Sequence, residues 1–462
     1  MAAGSKVQPR RTEEQLNLFY RGERSLVATL SQPMESPRVI GRWTMTSLVV
    51  NSIIGSAIFG VPSEAIRLVG RRSPTAMVIA AILMGIIILP IAEVASRFSR
   101  AGGLYLYART TFGRFVGLQV GWFWLLAIAG GGAAGINLFL SYAVVFYPAV
   151  NSGWPRFFAI LFLVLVPATA NYVGVKQGAH LGVIFTLAKL VPLGLVIGLG
   201  LSHLPKTSTS VDLLPPAWIA WPKVLLLLFY SFSGWEDTLL PAGEVKHPER
   251  TLPFALLTSL GLCALIYTSF QFVIVRIAGP SPSSNGVIDT ASALLGPKGV
   301  PLVSAAVMLS TFGWLSGAFL NAPRFPLALA EHGDSPEYLG RLHPRFGTPH
   351  IGVMLYALVV FALAATGSFI WAVELTAGAL AIFYSVTCLA LFRLRKRHNS
   401  QHVFRMPFGR FFAVAGITLS VALLAQLELR QIALMSLTCI LATANWFWAQ
   451  GRAVQPEAFR AA

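Results

Sequence analysis

The sequence predicts an all-α polytopic membrane protein of about twelve spanning helices, built as a five-plus-five inverted repeat with spans 1 and 6 broken. Three observations predict it. The 462 residues are 55% hydrophobic and 11% charged, whereas soluble domains carry roughly 25% charged residues. Two apolar runs are interrupted by glycine and small polar residues: LVVNSIIGSAIFGVP at Leu48–Pro62 and VLLLLFYSFSGWEDTLL at Val224–Leu240. Four intact spans lie between these breaks, so they fall at matching places in two five-span units. Units with an odd number of spans invert when laid in sequence through a bilayer, which would turn the two breaks toward each other near the midplane.

The apolar runs are long enough to span and place the spans near 43–66, 75–98, 115–147, 155–173, 180–202, 219–242, 253–277, 299–322, 350–367, 370–392, 411–427 and 432–450. The first repeat is expected over about 43–202 and the second over about 219–392, with spans 11 and 12 (411–450) peripheral. Residues 1–42 and 451–462 read as tails, and the loops as short and rich in Pro, Gly and Ser, as in PSPSSN at 280–285. No short apolar core with a small-residue cleavage site marks a signal peptide in residues 1–42. Glu14–Leu30 is mildly amphipathic, as a segment lying on a membrane surface would be.

The net charge of +17 raises the question of nucleic acid, and its distribution answers it. With the N-terminus in the cytoplasm, 25 of the 35 Lys and Arg fall on the cytoplasmic side and 9 on the other. That bias follows the positive-inside rule and orients both termini inward. Arg67, Arg71 and Arg72 run against it, as a basic cap on the outer side. The three cysteines, Cys263, Cys388 and Cys439, sit in apolar runs and imply no disulfide framework.

An unpaired backbone group in hydrocarbon costs several kcal/mol, so a break is tolerated only where protein or a wet cavity receives it. Break 1, Gly55-Ser56-Ala57-Ile58-Phe59-Gly60, exposes N–H groups at the start of a half-helix, which suits a carboxylate; Ser56 adds a hydroxyl. Break 2, Ser231-Phe232-Ser233-Gly234, frees carbonyls that suit an ammonium. Donors facing acceptors fit the zwitterionic end of an α-amino acid. Ser52 and Ser56 also make a small-xxx-small packing pair, but packing does not explain the matched placement of two breaks.

The residues resemble the amino acid–polyamine–organocation superfamily of permeases, within the LeuT-type fold. Gly55-Ser56-Ala57-Ile58-Phe59 resembles the family's G-S/A-G-I-F, and Glu93–Gly113 its acidic start, glycine pair, tyrosines and closing F-G. Tyr230–Glu236 is similar to F-x-F-x-G-x-E, and Gly243–Arg250 to E-x-x-N-P-x-R. Asn321–Gly333 is similar to R-x-x-x-A-L-A-x-x-G, and Phe404–Gly409 to F-R-x-P-x-G. Ala57 stands where glycine is usual and His247 where asparagine is usual. The resemblance implies a substrate carboxylate at Ser56 and the N–H groups of Ala57 and Ile58. It implies an amino group at the carbonyls of Ile53, Tyr230 and Ser233, with the Tyr230 ring as an aromatic gate beside Phe232 and Gly234.

Lys189 lies near the middle of span 5, where a lysine costs about 2.5–3.5 kcal/mol on insertion scales and usually faces a cavity. The resemblance implies that its ammonium stands where sodium-coupled relatives hold sodium, reaching carbonyls around Gly55 and the hydroxyls of Ser310 or Thr311. Burial disfavours an ammonium and facing carbonyls favour it, so Lys189 is a candidate to exchange a proton. Glu236 follows break 2, with Asp237 beside it, and is a candidate proton relay, helix bridge or cation partner. Glu93 and Glu374 read as interface acids. The histidines, His332, His343 and His350 among them, show no metal spacing, and no cofactor is implied.

The expected function is sodium-independent secondary transport of α-amino acids by alternating access, coupled to protons or exchanging substrates, in the plasma membrane. Ala57, Phe232 and Trp235 lean toward small or neutral amino acids. The rivals are an amine or polyamine antiporter and a non-transporting amino-acid receptor. The implied partners are a small amino acid, protons and the lipid bilayer, with no nucleic acid; monomer and homodimer both stay open. No repeated pore loop marks a channel, and no nucleophile–base set, phosphate loop or metal cluster marks an enzyme.

Overall fold

A computed structural model describes residues 38–98, 102–174, 179–204, 218–279, 285–331, 333–397 and 404–450. The Glu14–Leu30 segment, residues 280–284, His332 and the C-terminal tail lie outside the described residues. Ile40–Ala462 form one compact unit.

All twelve predicted spans are helical. Span 1 is Arg42–Ile53 followed by Ala57–Val69, span 2 is Ser73–Ala95, span 3 Arg114–Ala143, span 4 Gly153–Val173 and span 5 Ala179–Ser202. Span 6 is Trp221–Ser231 followed by a 3-10 turn at Trp235–Leu239. Spans 7 to 10 are Pro248–Ile277, Gly299–Asn321, His350–Thr366 and Phe369–Arg397; spans 11 and 12 are Gly409–Leu424 and Leu429–Gln450. Among the described residues eight helical stretches are long and apolar enough to cross a membrane, one of them running from the second half of span 1 through span 2, and two shorter apolar helices are spans 9 and 11. The halves of spans 1 and 6 fall short because each break halves the run: eleven helical residues rise only about 17 Å, against a hydrocarbon core of roughly 30 Å.

The loops are more structured than expected. Short helices fill three of them: Gly103–Phe112 between spans 2 and 3, Gly286–Leu295 between spans 7 and 8, and Arg324–Glu331 between spans 8 and 9. Gly102, with φ +137°, and Gly113, with φ +94°, bracket the first in a backbone region that disfavours other residues. His247 lies at φ 48° in the left-handed region. Asparagine and histidine both tolerate that conformation better than most residues, which accounts for the exchange seen there.

The inverted repeat is visible in the packing. The first half of span 1 packs on the second part of span 6, and the second half of span 1 on the first half of span 6, so the two broken spans run antiparallel. Span 2 packs on span 7 and span 3 on span 8. Spans 11 and 12 lie outside this arrangement, against spans 2 and 10 and against span 3. One isolated parallel bridge, Ile40 with Val245, ties the start of span 1 to the exit of span 6; among the described residues there is no strand.

Candidate functional site

Both breaks are real departures from the helical ladder. Ile54 N–H still reaches Val50 O at 2.9 Å, but Gly55 N–H turns back to Ile53 O at 2.7 Å. Asn51 O thereby loses its intrahelical donor, and the helix resumes only at Ala57. Ser56 precedes that helix without a side-chain capping bond; its side chain lines the cavity and hydrogen-bonds that of Tyr230. In span 6, Phe232 N–H and Ser233 N–H close tight turns onto Phe229 O and Tyr230 O. Gly234 N–H leaves the backbone altogether and donates to Glu236 Oε2 at 2.9 Å.

Gly234 is the hinge of this geometry. Its φ is +102°, and a Cβ there would stand 2.6 Å from Ser52 O. Only glycine meets both demands. The close approach lets Ser52 Oγ donate to Gly234 O at 2.5 Å, a direct bond from one broken span to the other.

Between the breaks lies a small cavity of about 50 Å³. Gly55, Ser56 and Ala57 line it from span 1, and Tyr230, Ser233, Gly234, Glu236 and Asp237 from span 6. Trp124, Ile128 and Gly131 of span 3, Trp314 of span 8 and Thr376 of span 10 complete it. No Lys, Arg or His lines it. Tyr384 Oη donates to Glu236 Oε2 at 2.8 Å and Trp124 Nε1 to Asp237 Oδ1 at 2.9 Å. Neither carboxylate takes part in an ion pair among the described residues.

Several expectations need correction. Ile53 O already accepts from Gly55 N–H and, at 2.8 Å, from Tyr267 Oη. Tyr230 O accepts from Ser233 N–H at 3.1 Å and Ser233 Oγ at 2.7 Å. A carbonyl has two lone pairs, so these two have none left for an ammonium; Ser233 O remains. Ile58 and Phe232 are fully buried and line no part of the cavity. The Phe232 ring packs on Tyr267, and Trp235 stacks on Tyr384 at 5.0 Å. The aromatic residues that line the cavity are Trp124, Tyr230 and Trp314.

Lys189 is buried, and its Nζ donates to Asn51 O at 2.9 Å. That is the carbonyl the break sets free, so the lysine caps the first half of span 1. Ser310 and Thr311 are not its partners: Thr311 Oγ1 donates to Val307 O at 2.7 Å, and buried Ser310 Oγ has no partner. Glu93 and Glu374 are both buried, Glu374 beside Lys223 Nζ at 3.2 Å and Gln431 Nε2 at 2.8 Å. No cluster of metal-binding side chains occurs among the described residues.

The walls from spans 3, 8 and 10 were not anticipated. Their signal was the run Gly130-Gly131-Gly132. A Cβ on Gly131 would meet the Trp314 ring at 2.8 Å, and one on Gly130 would meet Thr376 Oγ1 at 2.5 Å. The glycines thus let spans 8 and 10 close on span 3.

A family model described as amino acid permease matches residues 40–457. The chain belongs to the amino acid permease family. The permease is 27% identical over 396 residues to the serine/threonine exchanger SteT of Bacillus subtilis, covering 82% of this chain and 89% of that one. It is 22% identical to the branched-chain amino acid permease BcaP of Bacillus subtilis, covering 83% and 86%. It is 27% identical to the polyamine transporter PUT1 of Oryza sativa, covering 74% and 66%. Among solved structures it is similar to Mhp1, a nucleobase-cation-symport-1 family transporter, with a TM-score of 0.53, 15% identity and 91% of this chain covered. The fold is therefore of the LeuT type, and the permease is an integral membrane transporter.

Proposed function

We propose that the permease is a secondary active transporter that carries small α-amino acids by alternating access. The observation that carries this is the pair of breaks bonded to each other across one cavity. Ser56 and the first N–H groups of the following half-helix face it from one side, Ser233 O and the acids of span 6 from the other. The substrate carboxylate meets Ser56 and the Ala57 N–H; the amino group meets Ser233 O and the carboxylate side of the cavity. The volume of about 50 Å³ holds only a few waters, which favours a small side chain.

Lys189 on Asn51 O supports sodium independence, because a fixed ammonium already occupies the carbonyl freed by the break. The charge bias supports cytoplasmic termini, and the single compact unit from Ile40 supports one membrane domain over 43–450, which we place in the plasma membrane. Uptake of labelled serine or alanine into proteoliposomes tests the proposal. Uptake should persist when choline replaces sodium, and a loss of uptake there would overturn sodium independence. Binding without accumulation would point to a receptor.

One observation favours a second reading, amine or polyamine transport. Glu236 and Asp237 both line the cavity with hydrogen-bond donors but no cationic side chain to balance them, and a buried charge without a counter-charge is costly. A cationic substrate would supply that partner, although a long one needs the walls to part. Competition separates the two: putrescine blocks uptake under this reading, and free small amino acids block it under the first.

A further inference from the structure

A larger hollow lies behind the substrate cavity and takes no part in it. It is an apolar groove of about 650 Å³ between spans 3, 9 and 12, closed at one end by the 8–9 loop. Its buried polar side chains are already satisfied by protein. Tyr356 Oη donates to Ile128 O, Thr438 Oγ1 to Leu434 O and Ser335 Oγ to Pro326 O. Trp122 Nε1 donates to Asn445 Oδ1, and Asn445 Nδ2 to Asp334 O. Water in the groove would find few open partners, and a polar site needs two to four. The occupant must therefore be hydrocarbon, and the groove runs along membrane-spanning helices.

Two exposed arginines of the 8–9 loop stand at the mouth. Arg324 stands next to Phe325 of the groove wall, and Arg341 two residues beyond Leu339. Both are exposed and outside any ion pair among the described residues; Glu337 between them is exposed too. Basic residues at the end of an apolar groove suit an anionic lipid head group. A second copy fits less well, because a two-fold contact centred here would set concavity against concavity.

We infer that this groove binds one acyl chain of an anionic phospholipid, with the head group held by Arg324 and Arg341. The chain lies against the back of span 3, whose opposite face walls the substrate cavity. Tyr356 joins the two hollows directly, since it lines the groove and bonds the carbonyl of cavity residue Ile128.

Native mass spectrometry of the purified permease, delipidated and titrated with phosphatidylglycerol or phosphatidylethanolamine, tests this. One phosphatidylglycerol should stay bound with a clear preference over phosphatidylethanolamine. Arg324→Gln and Arg341→Gln should each cut that preference about fivefold while a lipid still binds. Ala362→Phe with Ala444→Phe, both exposed groove-wall alanines, should remove the bound lipid with the melting temperature held within a few degrees. Equal lipid retention in the filled double variant would overturn the inference. So would a lipid-free dimer of the parent protein, which would make a second copy the occupant.

Discussion

At the scale of single residues, the site depends on a few positions where one atom too many is decisive. Gly234 is the sharpest case. Gly234→Ala brings a Cβ onto Ser52 O and forces an L-residue to φ +102°; strain of this kind costs about 1–3 kcal/mol. We expect uptake to vanish and the denaturation midpoint in detergent to fall. Ser56 is a milder case. Ser56→Ala removes a single hydroxyl from the cavity lining, so substrate affinity should weaken about fivefold to tenfold, as the loss of about 1 kcal/mol implies. Isothermal titration would measure it. A hundredfold loss would mean that Ser56 also holds the break together.

At the scale of elements, burial decides which charges matter. Glu93, fully buried at the end of span 2, accepts from Arg395 Nε at 2.8 Å, from Arg97 Nη2 at 2.9 Å and from Met406 N–H at 3.1 Å. Arg395 in turn donates to Met406 O, so one carboxylate clamps span 2, span 10 and the approach to span 11. Arg67 and Glu64 form an ion pair of the same chemistry, but the Arg67 side chain is 69% exposed. Glu93→Ala leaves buried guanidinium groups unpaired and should cost about 3–5 kcal/mol. Arg67→Gln should cost under about 1 kcal/mol. Denaturant midpoints of the two variants give the comparison. Lys189 belongs to the same scale, because its one visible bond holds the open end of a half-helix. Lys189→Ala leaves Asn51 O without either donor, and transport should be lost or uncoupled while a snorkelling lysine would leave it intact.

At the scale of the whole molecule, the cavity exists because helices from both repeats meet at glycines. Gly131→Ala drives a methyl into Trp314 and pushes that ring toward the cavity. Overpacking of this kind costs about 1–3 kcal/mol, so substrate affinity should fall roughly tenfold to a hundredfold; an unchanged affinity would show that Trp314 has room to retreat. The buried Asp334 makes a second long-range link. It pairs with Arg109 and Arg114 and accepts from Tyr105 Oη at 3.2 Å, while its carbonyl accepts from Asn445 of span 12. The 2–3 loop, the 8–9 loop and a peripheral span are fastened at this point.

The number of spans, their ends to within a few residues and the two breaks were legible in the chain, because hydrocarbon forbids unpaired backbone and so forces long apolar runs and marked interruptions. The faces of spans 3, 8 and 10 that wall the cavity were not. A span is apolar toward lipid and toward protein alike, so no hydrophobic stripe reveals which side turns inward. What only the tertiary structure decided is which unwound groups stay open. Tyr267 closes Ile53 O, Ser233 closes Tyr230 O and Lys189 takes Asn51 O. Two of those three partners come from other spans, and a freed carbonyl cannot be known as open or closed until the helices that reach it are in place.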